Sequence, residues 1–309
     1  MKLSLIIPCF NEQDNVRAFF DETQRAFNSK RFDYEFVFVN DGSRDNTLKN
    51  LLDLYEKERF SNIQVVDLSR NFGKESAMYA GLQTARGDMV CIIDADLQQR
   101  PEVVLEMMDI LDNEPDVDCV AAFQDKRKES KALTFLKSSF YSIINKLSDV
   151  HFENAASDFR LFRRNVLEAL LNMTESQRFS KGLFSWVGFN TKYIPYTVME
   201  RNAGESKWSV KKLFKYALDG ITAFTGAPLK LPFVLSGVSA VSAVLFLIIY
   251  AIYSASAGTG FHSWAVILTF IMLSSAVQLF CMGIIGMYLS SVFFQSKNRP
   301  IVIVKKVYK

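Results

Sequence analysis

Two stretches of this chain hold no charged residue, Leu231 to Tyr253 and Trp264 to about Phe294. Each exceeds the ~20 residues that an apolar helix needs to cross a ~30 Å hydrocarbon layer. Runs of that length are hard to hide as core helices in a chain of 309 residues, so they predict two transmembrane helices. The loop between them, Ser254 to Ser263, lacks Lys and Arg. By contrast Lys207, Lys211, Lys212, Lys215 and Lys230 precede the first run, and Lys297, Arg299, Lys305, Lys306 and Lys309 follow the second. Basic residues collect on the cytoplasmic side of a membrane. Both flanks, and everything N-terminal to them, are therefore expected in the cytoplasm of a multi-pass protein of the inner (plasma) membrane. Just before the first run, residues 209–224 set Leu213, Tyr216, Ala217 and Phe224 against Lys211, Lys212 and Lys215. That pattern suits a helix lying among lipid headgroups, and an ordinary packing helix equally well.

The other end of the chain opens in a strand, Leu3 to Pro8, and not in a signal peptide. Apolar runs at Tyr34–Asn40, Ile63–Leu68, Met89–Ile93 and Asp118–Phe123 predict four more strands. Between them, Val16, Phe19, Phe20 and Phe27, then Leu48, Leu51, Leu52 and Tyr55, recur at helical spacing. Gly73 opens a further helix through Gly81, and Pro101 stands where a proline starts one. Such alternation means an α/β fold with a mostly parallel sheet and helices on both faces. The predicted organisation is a catalytic domain over 1–200, a juxtamembrane segment over 201–230, the two spans within 231–294 and a basic tail over 295–309. The tail, Arg299-Pro-Ile-Val-Ile-Val-Lys-Lys, is strand-like and is expected to pair with a sheet edge, of a neighbouring subunit among the choices, or to fray.

Composition narrows the chemistry. A net charge of +3 is too balanced to suggest nucleic acid. Cys9, Cys91, Cys119 and Cys281 form no CxxC pair and read as buried thiols of a reducing compartment. The two histidines, His151 and His262, leave little room for a histidine metal site or a Ser-His-Asp triad. Carboxylates must carry any chemistry.

They do so most visibly at Met89-Val-Cys-Ile-Ile-Asp94-Ala-Asp96-Leu-Gln98. A buried-strand run ends in two acids spaced i, i+2, which in extended chain face the same way. The end is the carboxyl edge of the sheet, where open α/β folds bind ligands. Oxygen groups converging there suit Mg²⁺ or Mn²⁺, which keeps waters and takes ligand phosphates. The plainer alternative is an acidic loop closing a strand. Asn11 and Glu12 follow the first strand and Asp41 the second, on the same edge. That edge has neither a GxGxxG turn nor a GxxxxGK[ST] loop, so it is not a dinucleotide or P-loop site. Asp41 reads equally as an Asx turn and Glu12 as a solvated helix start.

Four motifs, Pro8–Glu12, Val39-Asn-Asp41-Gly-Ser-Arg-Asp45-Asn-Thr47, Arg70-Asn-Phe-Gly-Lys74-Glu75 and Asp94-Ala-Asp96-Leu-Gln98, occur in the order and spacing of the family 2 glycosyltransferases of GT-A fold. With two C-terminal spans, the chain resembles the polyprenyl-phosphate sugar transferases among them, dolichol-phosphate mannose synthases and bacterial bactoprenol glucosyltransferases. The resemblance implies that Pro8, Asn11, Glu12 and Asp41 hold the base and ribose of a nucleotide-sugar. It implies that Asp94 contacts ribose or sugar, and that Asp96 and Gln98, with Asp94, hold the cation. Ser157-Asp158-Phe-Arg160 resembles the family's Asp-Phe-Arg segment near the acceptor, giving Asp158 and Arg160 catalytic roles. Arg201-Asn-Ala-Gly-Glu-Ser206-Lys207 resembles the element that closes on the phosphates. Where relatives often have Arg after the fifth strand this chain has Gln124, leaving Arg127 as the donor contact on that loop. Asp158 also reads as an ion-pair partner of Arg160 or Arg163, and Arg201 and Lys207 as membrane-surface charge.

The resemblance further implies a UDP-sugar donor, glucose, an undecaprenyl phosphate acceptor, inversion and a homo-oligomer, a tetramer in keeping with the relatives. Two other readings compete. A processive polysaccharide synthase carries Gln-x-x-Arg-Trp and more spans, whereas here only Gln177-Arg-Phe occurs. A non-catalytic membrane scaffold has no need of the nearly complete acidic set.

Overall fold

The structure, a computed structural model, describes residues 2–28, 32–58, 62–124, 142, 145–146, 156–175, 178–199, 225–257 and 263–309. Strands β1 (Lys2–Cys9), β2 (Asp33–Asn40), β3 (Ile63–Leu68) and β4 (Met89–Ile92) alternate with helices α1 (Val16–Phe27), α2 (Thr47–Lys57) and α3 (Lys74–Thr84). There follow α4 (Pro101–Asn113), β5 (Cys119–Gln124), β6 (Ala156–Arg163), α5 (Arg164–Asn172), α6 (Ser180–Trp186) and β7 (Thr191–Tyr196). Two long helices, α7 (Leu231–Ala257) and α8 (Ser263–Ser296), precede the last strand, β8 (Val304–Tyr308). The strand order is β7-β5-β6-β4-β1-β2-β3-β8. Among the described strands, β6 and β8 run against the rest. The sheet is mixed but mostly parallel, as the alternation predicts.

Central strands covered on both faces are mostly apolar: β1 and β2 bury Leu3, Leu5, Ile6, Ile7, Phe36, Val37, Phe38 and Val39, with Ser4 and Glu35 as buried polar members. One face sets Leu5, Ile7, Phe36 and Phe38 against Phe19, Phe20, Leu51 and Val104 of α1, α2 and α4. Phe36 and Phe38 stack with ring centroids 5.7 Å apart. The other face sets Ile6, Val37, Val90 and Phe162 against Met78, Leu167 and Phe184 of α3, α5 and α6. Cys9, Cys91 and Cys119 are buried thiols and Cys281 is half-buried, none in a disulfide.

The edge opposite the predicted site is tied by one buried carboxylate. Glu35 accepts from Lys2 Nζ at 2.7 Å, Ser4 Oγ at 2.6 Å, Gln64 Nε2 at 3.1 Å and the Arg86 amide at 2.7 Å. Burial acts to raise its pKa, and the bonds from Lys2, Ser4 and Arg86 outweigh that and hold it below the ordinary glutamate value. A depressed folded pKa gives stability that is complete above the unfolded value, about 4.3, and is lost as pH falls through the folded one. Glu35→Gln is therefore expected to lower stability by about 2 kcal/mol at pH 7. The gap from wild type, followed by urea unfolding in detergent, should close as pH falls below about 4; a pH-independent gap would show that the charge is not what matters.

Helices α7 and α8, of 27 and 34 residues, measure about 40 and 50 Å at 1.5 Å per residue. Both are long and apolar enough to cross a membrane, and hardly any of either candidate span is buried within the chain. They are the two such helices among the described residues and overlap the two uncharged runs of the sequence; by length and composition they suit membrane association, and no multi-pass topology follows from them. The tail does pair with a sheet edge, and it does so within its own chain. β8 runs antiparallel to β3, the Ser69 amide donates to Ile303 O at 3.0 Å, and Tyr55 Oη donates to Lys309 O at 2.5 Å. The residues read as a separate basic tail thus supply the eighth strand. Its return ties the C-terminal end of the two long helices to the sheet.

Candidate active site

The carboxyl ends of β1, β2 and β3 lead into loops knitted to one another. Asn11, with φ of 53°, donates its amide to Ser43 Oγ at 3.0 Å and accepts the Arg44 amide at 2.9 Å. The Glu12 amide donates to Thr47 Oγ1 at 2.8 Å, and the Glu12 carboxylate accepts from Asn15 Nδ2 at 2.7 Å. Asp41 is buried. Its two carboxylate oxygens accept the amides of Phe72 at 2.7 Å and Gly73 at 3.0 Å, joining β2 to the start of α3. Burial raises its pKa above the ordinary range despite those bonds. The Asx turn that the sequence allowed is not what Asp41 makes.

β4 ends at the same edge. The Asp94 amide donates to Gln99 Oε1 at 2.9 Å, and Gln99 Nε2 donates back to Asp94 Oδ2 at 3.3 Å. Leu97 takes φ of 60°, which turns the chain so that the Gln98 amide donates to Asp96 Oδ1 at 3.2 Å. Asp96 is buried. The Met199 amide donates to Gln98 O at 3.2 Å, so the chain approaching residue 200 passes this turn.

Because β6 is antiparallel, its first residues and not its last reach this edge. The sequence did not announce that strand. It brings Asp158 beside the β4 acids, and the group that joins them is Lys74, the first residue of α3. Lys74 Nζ lies 2.7 and 2.9 Å from the two Asp94 oxygens and 3.3 Å from Asp158 Oδ2. Gly73, with φ of 96°, supplies the backbone turn that starts α3 there. Burial acts to lower the lysine pKa, and the two carboxylates raise it instead. Burial also acts to raise that of Asp158, and Lys74, helped by Lys181 and Arg160, brings it below the usual range. For Asp94 burial prevails over Lys74, with repulsion from Asp96 and Asp158, and its pKa is raised. Asp158 Oδ1 is buried with no hydrogen-bond partner among the described residues.

Behind this group Glu75 accepts the Ser180 hydroxyl and, at 3.0 Å, the Ser180 amide, docking α6 on α3. Burial first, then the Asp158 charge, pushes its pKa up to about 7. Arg160 stands back from the open edge. It is buried, with its guanidinium carbon 4.5 Å from the Phe184 ring centroid and Nε donating to Ser157 O at 3.2 Å. It supports Asp158 from within and does not present its charge to the open edge. Gln124, in the place of the family arginine, donates Nε2 to Tyr196 Oη at 3.4 Å. Arg127, Arg201, Ser206 and Lys207, and the amphipathic segment 209–224, lie outside the described residues. Pro8, in β1 opposite Val39, sits at the same edge as Asn11, Glu12, Asp41, Asp94, Asp96, Gln98 and Asp158.

The donor set offered to a metal is oxygen only: the Asp94 and Asp96 carboxylates and the Gln98 amide. Among the described residues no group of three or more His, Cys, Asp or Glu side chains could hold an ion unaided. Such a set fits a hard cation that completes its coordination with water and phosphate.

A family model described as "Glycosyl transferase family 2" matches residues 4–171. The bactoprenol glucosyl transferase of Shigella phage SfII is 34% identical over 311 residues, covering 100% of this chain and 99% of that protein. The prophage bactoprenol glucosyl transferase homolog of Escherichia coli K12 is 34% identical over 314 residues, covering 100% of both. Among solved structures, the mannosyltransferase PcManGT from Pyrobaculum calidifontis in complex with GDP-Man and Mn²⁺ covers 93% of this chain and is itself covered to 86%, at 15% identity and a TM-score of 0.46.

Proposed function

The chain belongs to glycosyl transferase family 2, and from that premise we propose that this glycosyltransferase moves a sugar from a nucleotide-sugar to a polyprenyl phosphate at the membrane surface. The donor is read as UDP-glucose, the acceptor as undecaprenyl phosphate on the cytoplasmic leaflet, and the reaction as inverting and dependent on Mg²⁺ or Mn²⁺. The observation that carries this reading is one sheet edge where Asp94, Asp96 and Asp158 converge, on a sheet whose last strand follows two long uncharged helices. The names of the two full-length relatives support the acceptor class.

An acceptor phosphate monoester has its second pKa near 6 and is already mostly dianionic at pH 7. An oxygen of that phosphate attacks the anomeric carbon, the bond to the diphosphate breaks with its electron pair, and no general base is required. The demands on the protein are orientation and charge. Asp41 and the interlocked loops fix the wall where base and ribose are read to bind. Asp158, held ionised by Lys74, is read as the group that stabilises positive charge on the sugar in the transition state. Asp96 and Gln98, with Asp94, would hold the divalent ion, which neutralises charge on the departing diphosphate.

The test is transfer of radiolabel from a panel of UDP- and GDP-sugars into extractable polyprenyl lipid, with and without EDTA. Label entering lipid from one donor, lost with EDTA and restored by Mn²⁺ or Mg²⁺, is expected. Label that enters a long polymer, or none from any donor, rejects the proposal.

A further inference from the structure

Asp94 already has a cation on it. Lys74 Nζ chelates both its carboxylate oxygens, at 2.7 and 2.9 Å, and reaches Asp158 Oδ2 at 3.3 Å. Three carboxylates, those of Asp94, Asp96 and Asp158, act on one another at this edge, and the ammonium sits between two of them. It starts from the first residue of a helix whose backbone is pinned by Asp41 through the Phe72 and Gly73 amides. The lysine is therefore placed by the same loops that form the nucleotide wall. Nothing in the local sequence requires a lysine there for packing, since its side chain is 38% exposed.

We propose that Lys74 is an internal counter-ion that keeps a divalent cation off Asp94 until a nucleoside diphosphate arrives with it. The inference rests on the reading of Asp94 and Asp96 as metal-holding acids, and it concerns the order of binding. Without nucleotide, an ion approaching Asp94 must displace a charge-assisted, two-pronged contact and meet the like charge of the ammonium. A diphosphate changes both terms. It supplies the negative charge that favours the ion, and Lys74, already within reach of Asp158, keeps an anionic partner when it gives up Asp94. Metal and donor then bind as a pair. The acidic edge is not left loaded with an ion that free phosphate esters would occupy. Lys74 is a positioning residue in this scheme and touches no reacting atom.

The experiment measures Mn²⁺ binding by the paramagnetic resonance signal of free Mn²⁺, on the purified full-length protein in detergent, with and without UDP. Wild type is expected to bind Mn²⁺ weakly alone and much more tightly with UDP. Lys74→Met and Lys74→Gln are expected to bind Mn²⁺ without nucleotide at least about tenfold more tightly than wild type, the scale of one charge-assisted hydrogen bond. UDP should then add correspondingly less. Lys74→Arg, which keeps the charge, should behave like wild type, and adding Asp96→Ala to Lys74→Met should remove the gain. A merely structural lysine gives no gain in affinity when removed, so variants that lose folding or bind no better overturn the proposal. If wild type shows UDP-dependent uptake and the lysine variants no gain, the counter-ion role alone fails. If wild type takes up no Mn²⁺ with UDP while Lys74→Met does so alone, the counter-ion role stands and the reading of UDP as donor nucleotide fails. Absence of uptake in every protein overturns both.

Discussion

Asp96→Ala is expected to lower sugar transfer by about a thousandfold or more, a barrier increase of roughly 4 kcal/mol, with the unfolding transition nearly unchanged. The turn that presents this carboxylate is set by backbone: Leu97 holds φ of 60° and the loop is anchored by the Gln99 bonds to Asp94. Loss of the Asp96 side chain removes the bond from the Gln98 amide at 3.2 Å, worth about 1 kcal/mol. Stability and turnover are thus separable at this position. Asp96→Asn keeps the shape and that bond but removes one of the two carboxylate charges offered to a hard cation, so it should be almost as inactive. Full transfer by either variant, measured as labelled lipid, would remove the metal-holding assignment.

Gly42→Ala carries the largest expected structural effect. A Cβ at Gly42 would lie 2.4 Å from the carbonyl carbon of Arg70 and from the amide nitrogen of Asn71, and φ there is +60°. All the obstructing atoms are backbone, so no side-chain rotation relieves the clash. Positive φ costs about 1 kcal/mol for alanine, and forced displacement of the opposing loop about 2 more. That loop carries Phe72 and Gly73, whose amides bond Asp41, and leads directly into Lys74. Thermal unfolding should show a stability loss of about 3 kcal/mol, and nucleotide should no longer raise the midpoint. Wild-type stability together with wild-type response to UDP would show that the two loops do not pack as described.

What the sequence discloses, and what it withholds, follows the strength of each local signal. The first four strands and their helices are legible because strands covered on both faces are predominantly apolar runs, and those at Leu3, Tyr34, Ile63 and Met89 are, with only Ser4, Glu35, Gln64 and Asp67 interrupting them. The acidic edge is legible for a similar reason: the runs of β1, β2 and β4 lead into Asn11 and Glu12, Asp41, and Asp94. β6 is not. Its sequence, Ala-Ser-Asp-Phe-Arg-Leu-Phe-Arg, mixes charge into the strand, and Arg160 is accommodated by stacking on Phe184, a contact from helix α6 that no local pattern announces. Missing β6 as an antiparallel strand hides how Asp158 reaches Asp94. Lys74 is missed as well, although a signal existed: it is the first helical residue after a parallel strand that ends at the ligand edge. The partners of Asp41 depend on the β3–α3 loop coming back over β2, which is a matter of packing and not of sequence neighbourhood.

The strand that returns after the hairpin sets the order of biogenesis. A ribosome releases residues 304–308 after both long helices, so the flank of β3 that they cover stays open until those helices have been made. N-terminal portions fold first during synthesis, and an uncovered strand flank invites pairing with other chains. A chain released without that strand in place would therefore be aggregation-prone. A water-soluble version of the enzyme should be made by splicing out the hairpin and keeping its final strand, not by stopping the chain before Leu231.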